Sequence, residues 1–129
     1  MKRPRPQKSA PGGSKIEPRG GQNPRGLWGP LGGVLGAYDG LQLHFENTGR
    51  PSDIDGFTAE QRFFISWATV WRTLTREDAL RTQIKTDPHS PGIYRATQPL
   101  KNIDAFYEAF DIKFGDEMYL APEERVRIW

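Results

Sequence analysis

Cysteine is absent from the 129-residue sequence. That excludes disulfides, thiolate catalysis and cysteine-held zinc together, but leaves the cellular compartment open. Long apolar runs are also missing. Nothing approaches the roughly 18 consecutive apolar residues of a membrane-spanning helix, so no membrane segment is expected. The first 25 residues start basic without an apolar stretch behind them, and no secretory signal is expected. Histidine is scarce, with only His44 and His89. A metal-binding H-E-x-x-H needs two imidazoles one helical turn apart with a glutamate between them. His44-Phe45-Glu46-Asn47 does not supply it, so His44 reads as an ordinary surface or half-buried histidine.

What is present divides into two unlike parts. Residues 1–25 carry seven basic side chains (Lys2, Arg3, Arg5, Lys8, Lys15, Arg19, Arg25) against Glu17 alone, a balance of +6. The rest of the chain is acidic, at −4. Residues 1–26 are rich in Pro, Gly, Lys and Arg and cannot bury enough apolar area to offset chain entropy, so a disordered tail is expected there. Such a tail attracts phosphate. Since no aromatic residue interleaves the charges before Trp28, it is read as solvated chain, and no nucleic-acid partner is expected.

Apolar patterning begins at Leu27, and residues 27–129 are expected to form one mainly α segment with irregular loops. Leu31, Val34, Leu35, Tyr38, Leu41 and Phe45 fall at helical spacing and predict a helix over Leu31–Phe45. Gly32, Gly33 and Gly36 weaken it unless another backbone packs against that face. Asn47–Gly56 reads as a polar loop with Gly49, Pro51 and Asp53 as turn residues. Thr58 and Gln61 form a capping box for a helix over Thr58–Leu74, with Phe63, Phe64, Trp67, Val70, Trp71 and Leu74 as a wide apolar stripe. A second box, Thr75 with Asp78, predicts a shorter helix to about Ile84, burying Leu80 and Ile84. Pro88, Pro91 and Gly92 exclude regular helix over Asp87–Arg95. Asn102–Phe110 returns to helix with Ile103, Phe106, Tyr107 and Phe110 inward. Gly115–Trp129 reads as extended or turn, with Trp129 expected to be packed. So many aromatic residues on so few helices imply that the segment packs against further chain.

The segment Thr86-Asp87-Pro88-His89-Ser90-Pro91-Gly92-Ile93-Tyr94-Arg95 concentrates chemistry. His89 is a titratable group in a backbone fixed by two prolines and a glycine. Asp87 is close enough to orient its ring. Arg95 offers a planar fork for carbonyl or carboxylate oxygens. An imidazolium and a guanidinium held together suit an oxyanion-stabilising site. Without a nucleophile, paired carboxylates or a metal cage, chemistry alone favours a structural loop.

Taken together, four segments resemble the C-terminal part of the neprilysin family of zinc endopeptidases. They are Leu31-Gly32-Gly33 with Ala37-Tyr38-Asp39; Asp55-Gly56-Phe57-Thr58 with Gln61-Arg62-Phe63-Phe64 and Trp67 to Arg72; Thr86 to Gly92; and Phe106 to Phe110 with the closing Arg125-Val126-Arg127-Ile128-Trp129. The likeness covers about residues 31–129 and is greatest to bacterial members, because animal relatives carry cysteine where Val126 stands. The resemblance implies a zincin-like metallopeptidase, with His89 stabilising an oxyanion, Arg95 holding a substrate carbonyl and Asp87 orienting His89. It also implies zinc in the intact family, yet none is expected to bind this chain alone. The family's H-E-x-x-H is absent, and the glutamate and aspartate of its E-N-x-x-D fall on Gly26 and Pro30. The chain is therefore expected to be a truncated member acting on peptide substrates only with the missing N-terminal peptidase portion, and inactive by itself. A non-catalytic peptide-binding or complementing module is the alternative.

Overall fold

The computed structural model describes residues 24–128. Expectations for the tail up to residue 23, and for Trp129, fall outside the described residues. Five α-helices follow one another: α1 (Pro24–Thr48), α2 (Ala59–Val70), α3 (Glu77–Thr86), α4 (Gly92–Thr97) and α5 (Asp104–Phe110). Short 3-10 turns at Leu100–Asn102 and Pro122–Glu124 complete the order. Among the described residues there is no β-sheet, only an isolated bridge between Ile54 and Phe57. The mainly α expectation holds.

Helix α1 starts seven residues before the predicted Leu31 and carries Pro30 inside it. Leu27 explains the extension. It lies four residues before Leu31, and with Leu31 and Val34 it forms one buried stripe, enough apolar area to outweigh a helix-interior proline. Apart from the helix's own backbone and the adjoining residues, no described atom lies within 4 Å of where a Cβ at Gly33 or Gly36 would sit, so no other described segment packs closely there. The helix stops at Gly49, whose φ of +85° and amide bond to the Phe45 carbonyl (2.8 Å) give a left-handed termination. The loop that follows turns at Asp55 and Gly56, both at positive φ (53° and 79°). Two positive-φ residues in succession make the tight turn that pairs Ile54 with Phe57.

Helix α2 opens with the expected capping box. Thr58 Oγ1 accepts from the Gln61 amide at 3.1 Å, and Gln61 Oε1 accepts from the Thr58 amide at 3.0 Å. The Gln61 amide group also donates to the Ala109 carbonyl (2.8 Å), tying α2 to the end of α5. The helix ends at Val70, four residues before the predicted Leu74. Val70 is 70% exposed and Leu74 wholly so. The apolar spacing there marks a face that the described residues do not cover. Helix α3 likewise departs from expectation. Its N-cap is Arg76, with no side-chain cap. The Thr75–Asp78 box does not form, because Asp78 turns to its neighbour Ala79's amide (2.9 Å). Ile84, expected inside, is 64% exposed.

The core gathers Leu31, Val34, Phe64, Leu100, Ile103, Phe106 and Tyr107. Phe64 is its centre: its ring meets Phe63 and Phe106 edge-on (5.2 and 5.4 Å) and stacks on Tyr38 (5.4 Å). The final segment is clasped onto α5. Buried Asn102 donates to the Gln98 carbonyl (2.7 Å) and accepts from the Val126 amide (2.7 Å). Tyr107 Oη donates to the Lys101 carbonyl (2.7 Å) and accepts from the Leu120 amide (2.9 Å). Arg125 lies 3.6 Å over the Tyr107 ring. It also donates to the Leu120 carbonyl (3.0 Å) and to Asp104 (2.8 Å).

Candidate functional site

The His89 segment is irregular only as far as Pro91. Contrary to the expectation for Asp87–Arg95, helix resumes at Gly92 and runs to Thr97, so Arg95 stands on α4. The two prolines explain the expectation, but Pro91 takes the N-cap position (φ −52°, ψ 153°), which a proline fills without losing a helical bond. Gly92 is required by its neighbour. A Cβ there would lie 2.6 Å from the Trp71 carbonyl oxygen and 2.9 Å from Thr73 Oγ1. The start of α4 therefore sits directly against the end of α2.

Asp87 and His89 form a tight local unit. Asp87 Oδ1 accepts from the His89 amide at 2.8 Å and lies 2.8 Å from the ring Nδ1. The amide bond, then the ring, hold the Asp87 carboxyl below the usual aspartate range. An ionised carboxylate accepts only, so Nδ1 carries the proton in this pairing. The Nε2 edge then donates to an incoming oxygen when the ring is protonated. The His89 side chain is 61% exposed and open to a ligand.

Arg95 lies with its guanidinium carbon 4.0 Å from the centroid of the Trp71 ring. Among the described residues no carboxylate forms an ion pair with it, whereas Arg50, Arg81, Arg125 and Arg127 each have one. The structure thus presents, near the α2–α4 contact, an oriented imidazole and a cation whose charge reaches Asp87 without forming an ion pair with it. Trp71 is the contributor that sequence reasoning assigned only to the apolar stripe. Its spacing from Trp67 marked a helix face and gave no sign of the later arginine. His44 stands elsewhere, exposed on α1 and bonded to Thr48 (3.2 Å).

The family model of peptidase family M13 matches residues 29–126. The chain belongs to that family. The M13 match runs through α1 to the C-terminal clasp and includes Asp87, His89 and Arg95. The neutral endopeptidase of Lactococcus lactis is 42% identical over 67 residues, covering 52% of this chain and 11% of that protein. Human membrane metallo-endopeptidase-like 1 is 38% identical over 100 residues, covering 76% of this chain and 13% of that protein. In three dimensions the chain is similar to the zinc metalloprotease Zmp1 of Mycobacterium tuberculosis in its open state. The TM-score is 0.76 at 42% identity, covering 80% of this chain and 16% of that one. The chain therefore spans well under a fifth of the length of these M13 relatives.

Zinc is expected in the M13 family, as the Zmp1 metalloprotease illustrates. The described residues do not fit a zinc site: no three His, Cys, Asp or Glu side chains come together that could hold a metal ion. No described helix is long and apolar enough to cross a membrane.

Proposed function

We propose that this chain is the substrate-handling C-terminal part of a zinc metalloendopeptidase, and that the 129-residue chain by itself does not hydrolyse peptides. His89 stabilises the oxyanion of the tetrahedral intermediate by donating from Nε2, and Asp87 holds the ring so that this edge faces the substrate. Arg95 binds a substrate backbone carbonyl through its free guanidinium edge. Residues 27–129 form the peptidase portion, behind a basic segment over 1–26 whose last three residues already belong to α1. In this family zinc polarises the scissile carbonyl and activates water. That chemistry must come from residues outside those described here.

One observation carries the reading. Within a region matched to peptidase family M13, a carboxylate-oriented histidine and an arginine in no ion pair among the described residues lie on segments joined at Gly92. The test is zinc content and peptide cleavage by the purified 129-residue chain. The expected result is no stoichiometric zinc and no chelator-sensitive cleavage of a short apolar peptide. One tightly held zinc per chain, or zinc-dependent cleavage, overturns the inactivity of the isolated chain.

A further inference from the structure

We infer that Trp71 is a positioning residue for Arg95, fixing the guanidinium plane so that its N–H edge is presented to a backbone carbonyl of a bound peptide; this rests on the reading of Arg95 given above. The geometry supplies three independent supports. First, the guanidinium sits over the indole face at 4.0 Å. A planar cation stacked on a ring directs its N–H bonds sideways, away from the ring, where they remain available. Second, no carboxylate among the described residues forms an ion pair with Arg95; Asp87 acts on it only through longer-range charge, so the indole stack orients the guanidinium without consuming a donor. Third, both the ring and the backbone that carries it are packed. Trp67 packs edge-on against Trp71 (5.5 Å, 64°), and Gly92 abuts the Trp71 carbonyl. The Trp71 indole N–H is buried and has no acceptor among the described residues. Among the described residues the ring is placed by packing rather than by a hydrogen bond, and its face is what it offers.

Peptide binding to the full chain tests this with the probe N-acetyl-Phe-Leu-amide, which has no charged terminus to confuse the result. Calorimetry on wild type, Trp71→Leu, Trp71→Phe, Arg95→Ala and Trp71→Leu/Arg95→Ala gives a double-mutant cycle. The expected loss is about tenfold in affinity for Trp71→Leu and for Arg95→Ala, with no further loss in the double variant and most affinity restored in Trp71→Phe. In the unliganded chain, the Arg95 side-chain NMR signals should carry the upfield shift of a proton over an aromatic face and lose it in Trp71→Leu. Losses that add in the double variant, or an Arg95 shift unchanged by Trp71→Leu, overturn the role of Trp71. Binding unaffected by Arg95→Ala removes the underlying assignment of Arg95 instead, and the proposal with it.

Discussion

Of the three described arginines that lie over aromatic rings, Arg50, Arg95 and Arg125, the last two do opposite things. Arg125 sits 3.6 Å over Tyr107 and also bonds the Leu120 carbonyl and Asp104. Its side chain is 8% exposed. Arg95 sits 4.0 Å over Trp71 and forms no ion pair with any described carboxylate. The same cation–ring contact belongs to a closed set of bonds in one place and to a guanidinium in no ion pair in the other. Satisfaction of the remaining donors separates the two, because a buried donor left unpaired is costly while an accessible one can wait for a partner.

That contrast can be broken at its structural end first. Asn102→Ala should cost about 2–3 kcal/mol, since the Val126 amide and Gln98 carbonyl both lose their partner in a buried place. A thermal melt reads this directly, and a loss below about 0.5 kcal/mol would show that the clasp does not hold the fold. Arg125→Ala should follow at about 1.5–2.5 kcal/mol, against less than about 1 kcal/mol for Arg95→Ala. Equal destabilisation by the two variants would erase the distinction. Gly92→Ala sharpens it from the other side. The new methyl meets the Trp71 carbonyl, so a loss of about 1–2 kcal/mol is expected, together with a changed Arg95 environment by NMR. A silent substitution would mean that α2 and α4 separate freely.

The smallest effect is in acid. Arg127 first, then Arg125, hold the Asp104 carboxyl below its usual 3.8 against the opposing effect of partial burial. A folded value below the unfolded one contributes stability that is complete above pH 3.8 and fades as pH falls through the lowered value. Asp104 is half exposed, so about 0.5 kcal/mol is at stake after screening. Melts of wild type and Asp104→Asn from pH 5 downward should therefore converge. Curves that stay parallel would remove Asp104 from the clasp's electrostatics.

The parts of this fold legible in the sequence were those governed by local chemistry. The Thr58–Gln61 capping box needs only four residues, and the Phe64 core follows from helical spacing around it. Gly49 announced its turn because few other residues take a positive φ. The failures share a cause. Leu74 and Ile84 carry apolar side chains on faces that no other described segment covers, so periodicity signalled burial that the described residues do not provide. Thr75 lost its cap because Asp78 found a nearer donor. Asp87 and His89 are neighbours in sequence, and their pairing was foreseeable. The Trp71–Arg95 stack joins residues 24 positions apart and depends on how two helices meet, which no local pattern records.

Gly92 makes the spacing of two helices a question of one hydrogen atom. Because the carbonyl end of α2 presses on the position where a side chain would begin, any shift in α2 is transmitted to the first turn of α4, and from there to a charge three residues on. Substitutions in α2 well away from the His89 turn should thus alter the proposed grip of Arg95 on an oxygen, with no group touching that oxygen having been changed.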